Sequence, residues 1–266
     1  MAVAAALSIA GSDSGGGAGI QADLKAFSAM CVYGASVITA VTAQNTRCVT
    51  AIHLIPPRLI RAQIDAVLSD IRIDAVKVGM LGTSDAIKAV ATVLNSYAGK
   101  VVLDPVMVAK SGDALLKDDA IESLATLLLP RADLLTPNLP EAARLTGMRE
   151  ARDSSEVEAQ AKALLARGAK AVLIKGGHSD GAECRDTLVT HESVTTFVAP
   201  RLATRNTHGT GCTLSSAITA RLALGDPLPE ATRAAHRWLH GAIAAADRLG
   251  VGSGHGPVHH FHEMWP

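Results

Sequence analysis

The residues from 205 to 213 place a thiol inside a glycine-punctuated turn, directly before an apolar run that is typical of a helix. Gly209 and Gly211 precede Cys212, and the apolar residues that follow recur at four-residue steps along one helical face. A helix N-terminus offers unpaired N–H groups and the positive end of its dipole, and both favour bound anions. Glycines let the backbone curl its amides around such an anion. We therefore expect an anion-binding loop here.

Cys212 suits two kinds of group transfer at this loop. It would accept a proton during phosphoryl transfer or act as the nucleophile of acyl transfer, and the helix N-terminus is expected to lower the pKa of its thiol. His208, four residues earlier, offers a base for a Cys–His pair, but the sequence shows no third residue that would orient it. The structural alternative is a glycine-rich turn with a buried cysteine. The loop by itself leaves these alternatives open.

A second glycine-rich loop, at 11–19, follows a predicted strand at 4–10 and precedes a helix that begins near Ile20. It contains neither the G-x-x-x-x-G-K-[ST] nor the G-x-G-x-x-G spacing of nucleotide-binding loops. It is better suited to the close approach of a flat ligand. Asp23, one turn into the helix, either faces that ligand or is a solvated carboxylate.

Polar residues stand at the ends of further short apolar segments that are typical of buried strands. They are Gln44 after 35–43, Asp104 after 100–103, Asn138 and Glu141 after 132–135, and Lys175 after 171–174. The carboxyl ends of parallel strands share one rim of a sheet, where ligands bind. Carboxylates with an amide suit Mg²⁺, a lysine suits phosphate, and a glutamine suits the edge of a heterocycle. Each alone would more often be a solvated surface residue, and their shared position is what favours a site.

The order of the elements predicts the fold. We also expect a strand at 75–78, helices at 57–69, 84–96, 117–129, 139–146 and 154–167, a polar loop at 110–113, an antiparallel hairpin at 186–198, a helix from the 205–213 loop to residue 224, and a helix at 229–249. Strands that alternate with helices are typical of a doubly wound sheet. The prediction is an α/β protein with three layers, α/β/α, around a mostly parallel sheet, in a single domain over residues 1–266.

Composition narrows the function classes. Lys and Arg total 25, as do Asp and Glu, so the charge balance argues against nucleic acid or an anionic membrane as a partner. Four scattered cysteines without C-x-x-C spacing indicate neither a zinc site nor a disulfide framework. Residues 2–10 are apolar but lack the basic region of a signal peptide, and no apolar run reaches membrane-spanning length. We expect a cytoplasmic protein.

Ordered sequence blocks span nearly the whole chain. They lie at 9–23, 43–46, 77–80, 104–107, 135–142, 175–178, 206–215 and 254–261, and include Gly-Thr-Gly-Cys at 209–212. Together they resemble the hydroxymethylpyrimidine/phosphomethylpyrimidine kinases of thiamine biosynthesis, within the ribokinase-like superfamily. Cysteine stands where most members of that superfamily have aspartate as the catalytic base. The resemblance implies ATP-dependent phosphorylation of 4-amino-5-hydroxymethyl-2-methylpyrimidine and then of its monophosphate, with Mg²⁺, in a homodimer. Activation by a monovalent cation is a superfamily property that comes without an assigned site.

The resemblance also implies residue roles. Cys212 would take the proton of the substrate hydroxymethyl group, while the amides of Gly209, Thr210 and Gly211 would stabilise the transferring phosphoryl group. The pyrimidine edge would meet Gln44. The remaining assignments are Gly11, Ala18, Asp23, Met80 and Val106 lining the substrate pocket, Asn138, Thr207 and Lys175 at ATP, and Asp104 and Glu141 at the metal.

Three alternatives remain. The nearest is a pyridoxal or pyridoxine kinase, because its substrate is also a flat heteroaromatic ring with a CH₂OH group. The others are a cysteine hydrolase that uses Cys212 and His208, and a non-catalytic pyridoxal-phosphate carrier. The C-terminal histidines at 255, 259, 260 and 262 suggest a metal cluster, but a structural role is favoured for them.

Overall fold

The computed structural model describes residues 3–107, 116, 118–177 and 181–265, without the side chain of Asp118. The predicted polar loop at 110–113, and His178 of the 175–178 block, lie outside these residues. Within the described part of the chain, the strands are β1 (Ala5–Asp13), β2 (Tyr33–Gln44), β3 (Val49–Leu54), β4 (Ala75–Val78), β5 (Lys100–Leu103), β6 (Leu134–Leu135), β7 (Ala171–Ile174), β8 (Glu183–Thr190) and β9 (Val194–Pro200).

The helices lie between these strands. They are α1 (Gly19–Ala29), α2 (Pro57–Leu68), α3 (Ser84–Leu94), α4 (Asp118–Leu127), α5 (Leu139–Thr146), α6 (Ser154–Ala166), α7 (Thr210–Ala223) and α8 (Leu228–Ala244), with short 3₁₀ segments at Leu129–Arg131 and Ala246–Leu249. None of the described helices is both long enough and apolar enough to cross a membrane.

All of these strands join one sheet in the order β3-β2-β1-β4-β5-β6-β7-β8-β9. The pairings from β2 through β1, β4, β5 and β6 to β7 are parallel, whereas β3, β8 and β9 pair antiparallel at the two edges. The chain therefore leaves β1 toward one edge and returns to build the other, which confirms the predicted doubly wound, mostly parallel sheet.

Helices cover both faces of the sheet, because successive side chains of a strand point to opposite sides. In β5, Val101 and Leu103 enter an apolar cluster with α2 to α6, while Val102 enters a second cluster with α1, α7 and α8. The three-layer prediction is confirmed. The layer with α1 and α7 matters most for function, since both helices begin at the rim where the parallel strands end.

The structure differs from the sequence prediction at several elements. Strand β1, predicted to end at residue 10, continues to Asp13. Strand β3 was not predicted, because its residues from Thr50 to Leu54 are exposed and show no buried face. Strand β6 is limited to Leu134–Leu135 within the predicted 132–135. The helix predicted at 229–249 ends at Ala244 and continues as a 3₁₀ turn.

Candidate active site

The loop at 205–213, expected to bind anions and called the anion loop below, leads into α7 as predicted. Gly209 is the N-cap in the left-handed region (φ 78°), and the first helical hydrogen bond runs from Thr213 N to Gly209 O at 2.8 Å. Of the three amides assigned from the resemblance, that of Thr210 already donates to Thr207 O at 3.4 Å. The amide of Gly211, and that of Cys212, which was not among the three, precede the first intrahelical bond and have no helical acceptor. A side chain on Gly209 would collide with the carbonyl oxygen of Gly17, so the two glycine-rich loops meet here.

The hydroxyl of Thr210 ties this loop to itself. Thr210 Oγ1 donates to the carbonyl of Thr207 at 2.6 Å, while Thr207 N donates to Arg205 O at 3.1 Å. These bonds hold the turn shape that presents the amides. Thr207 therefore supports the loop through its backbone.

Lys175 and Asp104 lie beside the anion loop. Lys175 Nζ donates to Asp104 Oδ1 at 2.7 Å, and a Cβ on Gly211 would lie 3.2 Å from that ammonium. Burial alone would lower the pKa of Lys175, but Asp104 and then Glu141 raise it above its ordinary value, so the ammonium stays charged. The structure thus brings a permanent positive charge to the amides at the helix N-terminus.

Cys212 lies between the starts of two helices. Its sulfur faces the backbone N–H of Gly19, the first residue of α1, and the charge of Lys77, and both act to lower the pKa of the thiol. Burial of the sulfur nevertheless raises the pKa of the thiol to about 11, and Lys77 only partly offsets this. The expectation that this pKa is lowered is therefore wrong, because desolvation of the thiolate and the nearby carboxylates of Asp23 and Asp104 outweigh Lys77 and the Gly19 N–H.

Asp23 lies in the interior and makes a buried ion pair. Both of its carboxylate oxygens are 2.9 Å from Lys77 Nζ, and neither side chain is exposed. Ser8 Oγ and Ser216 Oγ also donate to the carboxylate, at 2.6 and 2.7 Å. Asp23 is thus neither the solvated carboxylate nor the ligand-facing group of the sequence prediction. Four hydrogen bonds from three donor groups occupy its carboxylate, so it acts from beneath Cys212.

Asn138 and Glu141 form a reciprocal cap at the start of α5. Asn138 Oδ1 accepts from Glu141 N, and Glu141 Oε2 accepts from Asn138 N, each at 2.8 Å. Burial raises the pKa of Glu141 to about 7; Lys175 opposes this rise, and the neighbouring charge of Asp104 adds to it. The N-x-x-E spacing therefore has a structural basis in the helix cap, and it leaves a buried carboxylate close to Asp104.

The carboxylates of Glu141 and Asp104 fit a Mg²⁺ site in which water and phosphate supply most of the ligands. Mg²⁺ usually takes one or two carboxylates and keeps several waters. The described residues contain no group of three or more metal-ligating side chains, so a full protein cage is not present among them. Asp104 already accepts from Lys175, Thr136 and Ser215, which makes Glu141 the more available ligand.

Asp13 organises the first glycine-rich loop. Its carboxylate accepts from the amides of Gly15, Gly17 and Ala18 at 2.8 to 3.1 Å, and lies 2.8 Å from His208 Nε2. His208 therefore has an orienting partner that the sequence did not reveal. Although a carboxylate could orient the imidazole of such a pair, no hydrogen bond joins His208 to Cys212 among the described residues, so the structure does not support a Cys–His nucleophile pair.

The predicted pocket residues cluster where β1, β2 and β4 end. A Cβ on Gly11 would lie 3.2 Å from Met80 Sδ, and Thr39 Oγ1 donates to Met80 O at 2.6 Å. The side-chain amide of Gln44 lies 3.3 Å from His208 Nε2. The structure therefore brings Gly11, Met80 and Gln44 to one rim, next to the loop that contains Ala18. Val106 follows Asp104 and is half-buried.

The sequence pattern did not identify four residues that organise this region, namely Asp13, Lys77, Ser8 and Ser216. Asp13 and Lys77 belong to the quoted blocks, but both stand within or next to apolar strands, where position alone does not show which face carries a partner. A buried lysine in Ala-Val-Lys-Val was the available signal, since lysine is rarely buried without a counter-ion.

The C-terminal histidines support the fold. His260 is 4% exposed and its Nε2 lies 2.9 Å from Thr213 Oγ1 in the first turn of α7, while His259 packs against Trp265. Burial lowers the pKa of His260 to about 3. A neutral imidazole under the anion loop fits the structural role that was favoured from the sequence.

Comparison with known proteins agrees with this geometry. Residues 13–259 match the family model of phosphomethylpyrimidine kinase. A hydroxymethylpyrimidine/phosphomethylpyrimidine kinase of Rhizobium meliloti is 57% identical over 98% of both chains.

Two solved structures are similar to the whole architecture. An ADP complex of Bacillus subtilis pyridoxal kinase is 37% identical, covers 100% of both chains and has a TM-score of 0.91. A phosphomethylpyrimidine kinase of Clostridium difficile is 44% identical over 90% of this chain and 98% of its own, with a TM-score of 0.80. The ribokinase-like prediction is confirmed, and the chain belongs to the phosphomethylpyrimidine kinase family.

Proposed function

We propose that this protein is an ATP-dependent kinase that phosphorylates 4-amino-5-hydroxymethyl-2-methylpyrimidine, and then its monophosphate to the diphosphate, in thiamine biosynthesis. The observation that carries the proposal is the meeting of the Gly209–Cys212 loop with Lys175 at the rim of a chain that belongs to this family. Backbone amides and a fixed ammonium match the charge that spreads over a transferring phosphoryl group. This site acts within one domain over residues 1–266.

The chain's own groups hold the phosphates. Amides of Gly211 and Cys212 point out of α7, and Lys175 stands beside them as a point charge. Asp104 fixes the ammonium at 2.7 Å, which limits the rearrangement needed when phosphate binds. Thr207 and Asn138 are assigned to the same ATP side of the site, where each shapes a turn through its backbone or cap.

Glu141, with Asp104, is proposed to hold the metal. When bound, Mg²⁺ neutralises charge on the phosphates of ATP. The carboxyl of Glu141, with its pKa raised to about 7, changes to the carboxylate form when a cation is near. Asp104 also binds Lys175, so it positions the ammonium as well as contributing to the metal site.

Cys212 is proposed to accept the proton of the substrate hydroxyl. With a thiol pKa of about 11, most of the free protein carries the neutral thiol at neutral pH. The Lys77 ammonium and the Gly19 N–H are the groups that stabilise the thiolate when it forms. In a loose phosphoryl-transfer transition state the hydroxyl loses its proton late, as the new O–P bond forms, and Cys212 is the group proposed to take it then.

The deciding experiment measures ADP release from the purified protein with Mg-ATP. The acceptors are the hydroxymethylpyrimidine, its monophosphate, pyridoxal and none. Turnover of both pyrimidines, well above that of pyridoxal, is expected. Cys212→Ala is expected to lower kcat by orders of magnitude while ATP binding stays nearly unchanged. Absence of ADP with every acceptor would overturn the kinase proposal.

Pyridoxal phosphorylation is the second candidate. It is supported by the TM-score of 0.91 to a pyridoxal kinase over the whole chain. Strong turnover of pyridoxal alone would transfer the same mechanism to that substrate. We further propose, from the family resemblance, that the enzyme is cytoplasmic and forms a homodimer. Light scattering of the purified protein tests the homodimer directly.

A further inference from the structure

The side-chain amide of Gln44 is held between a hydroxyl and an imidazole. The structure places the amide oxygen 3.2 Å from Thr42 Oγ1 and the amide nitrogen 3.3 Å from His208 Nε2, but the two atoms are nearly equal in size and the reverse orientation fits the same space. The backbone of Gln44 is fixed separately, because it exchanges two hydrogen bonds with Ser14 Oγ at 2.8 and 2.9 Å. The remaining variable is which end of the amide carries oxygen and which carries nitrogen. The two ends have the same shape, so their neighbours decide.

The hydroxyl of Thr42 requires a hydrogen-bond donor on the Gln44 atom beside it. This hydroxyl has one proton, and Thr42 Oγ1 donates it to the carbonyl oxygen of Ser12 at 2.8 Å. Toward Gln44 the hydroxyl can then only accept, so the amide atom beside Thr42 has to be the NH₂ group. An amide oxygen there would leave two acceptors facing each other.

The imidazole of His208 requires a hydrogen-bond acceptor on the Gln44 atom beside it. Its Nε2 lies 2.8 Å from Asp13 Oδ2. Burial alone would raise the pKa of Asp13, but the bonds from His208 and from the loop amides of Gly15 and Ala18 hold it below its ordinary value, so the group is a carboxylate that only accepts. His208 Nε2 consequently carries a proton in both the neutral and the protonated imidazole. An NH₂ group beside this N–H would set two donors against each other, so the amide atom beside it has to be oxygen, which shares the N–H with Asp13.

Both neighbours select the same orientation. We infer that Thr42 and His208 determine substrate specificity by fixing the Gln44 amide with its NH₂ group toward Thr42 and its oxygen toward His208. A ligand edge at Gln44 then has to present an acceptor on the Thr42 side and a donor on the His208 side. This inference rests on the proposed function, and it adds the residues that tell one heteroaromatic substrate from another.

The chemistry of the two candidate substrates differs at this edge. The aminopyrimidine has an amino donor on the carbon next to a ring nitrogen acceptor, so it pairs with both ends of a fixed amide. In pyridoxal a methyl-bearing carbon separates the ring nitrogen from the hydroxyl, and no such adjacent pair exists. An amide free to rotate by 180° would tolerate either pattern. The bonds from Thr42 and His208 remove that freedom.

A chemical cycle tests the inference. Dissociation constants are measured by calorimetry for 4-amino-5-hydroxymethyl-2-methylpyrimidine and for the analogue without the amino group, in wild type, Thr42→Val and His208→Leu. Wild type is expected to prefer the amino ligand by about tenfold, the value of one net hydrogen bond. Each variant is expected to lose most of that preference. His208→Gln, which retains an N–H near the position of Nε2, is expected to keep it.

The matched control is Thr50→Val, since the Thr50 hydroxyl is exposed on β3 and donates to Ala43 O without contacting the amide. Steady-state rates give a second readout, because the amide does not touch the reacting atoms. In Thr42→Val the KM for the amino ligand is expected to rise about tenfold with kcat within about twofold of wild type. Thr42→Val is nearly isosteric, so it keeps the test available if His208→Leu fails to fold.

An unchanged preference in Thr42→Val and His208→Leu would overturn the inference, and so would loss of preference in His208→Gln, because the imidazole would then act by packing. Failure of the proposed function has a different signature, namely no ADP release by wild type with either pyrimidine. The binding arm decides the orientation of Gln44 in that case as well, since it uses no ATP.

Discussion

Ser216 donates a hydrogen bond to Asp23 at 2.7 Å and thereby joins α7 to α1 one turn below the thiol of Cys212. Cys212 lies four residues before Ser216, and its sulfur contacts Gly19, which lies four residues before Asp23. Residues four apart stack on one helical face. Two contacts one turn apart therefore align the N-termini of both helices. The Lys77–Asp23 ion pair lies at the lower contact, and both of its side chains are fully buried.

We predict that Asp23→Asn strongly destabilises the protein. Lys77 is fully buried, and the substitution leaves its ammonium without a counter-ion. Breaking one partner of a buried pair costs about 3–5 kcal/mol in the free energy of unfolding. Urea unfolding followed by circular dichroism measures this change.

The matched control for that loss is Asp85→Asn, which removes an exposed partner of Lys88. Exposed pairs contribute little, so its unfolding midpoint is expected to stay close to wild type. The double variant Asp23→Asn with Lys77→Met is expected to recover part of the lost stability, because no buried charge remains unpaired. Equal midpoints for Asp23→Asn and Asp85→Asn would show that the pair is not buried in solution.

The second prediction concerns the thiol of Cys212. Its pKa is raised to about 11 by burial, and the thiolate is the form that reacts with iodoacetamide. Alkylation of Cys212 is therefore expected to be slow at pH 7.5 and to speed up tenfold per pH unit until about pH 11. Exposed Cys31 and Cys48 are expected to react first. Peptide mass spectrometry over a pH series measures each site, with Cys212→Ser to identify the slow peptide.

A labelling midpoint below the ordinary thiol value of 9.0 would contradict this prediction. It would mean that the N-termini of α1 and α7 together with Lys77 outweigh desolvation. That result would restore the expectation drawn from the sequence, so the experiment decides between dipole and burial as the dominant influence.

The sequence predicted the layers better than the partners. Periodicity placed α2, α3 and α5 and the strands from β4 to β7 because apolar spacing reports directly which residues are buried. It missed β3, whose side chains from Thr50 onward face solvent on an edge strand. An exposed antiparallel edge has no apolar stripe, so only its pairing with β2 defines it.

The site followed the same division. The strand-end rule brought Asp104, Asn138 and Lys175 to one rim from their positions alone. It could not show that Asp23 points inward to Lys77, since a position one turn into a helix is compatible with either face. It also misjudged Cys212, because a helix dipole can be read from a sequence whereas the desolvation that opposes it depends on packing from α1.

The third prediction separates two glycines of the anion loop. Gly209→Ala is expected to lower the free energy of unfolding by about 1–3 kcal/mol, because the residue has φ 78° and its side chain would meet Gly17. Gly211 has ordinary helical geometry, and alanine there favours the helix by up to about 1 kcal/mol. Gly211→Ala is therefore expected to fold as stably as wild type.

Turnover is expected to fall in both glycine variants, for different reasons. The methyl group in Gly211→Ala lies 3.2 Å from Lys175 Nζ and occupies space at the anion site. ADP release and thermal unfolding of the same preparations distinguish lost folding from lost binding. A wild-type rate in Gly211→Ala would place the transferred phosphate elsewhere.

The last prediction concerns acid stability and His260. Its pKa is lowered to about 3 by burial, from an ordinary 6.5. Between these values the unfolded chain binds a proton that the folded protein does not, so the contribution to stability is present above pH 6.5 and is lost as the pH falls toward 3. At pH 5 the loss amounts to about 2 kcal/mol, since one pKa unit corresponds to about 1.4 kcal/mol.

His260→Gln removes the titration and is expected to flatten the decrease in the free energy of unfolding between pH 7.5 and pH 5, measured by urea unfolding. Exposed His191→Gln is the control and is expected to follow wild type. An unchanged slope in His260→Gln would mean that the imidazole under Thr213 is hydrated in solution, and the support it gives to the first turn of α7 would have to come from packing alone.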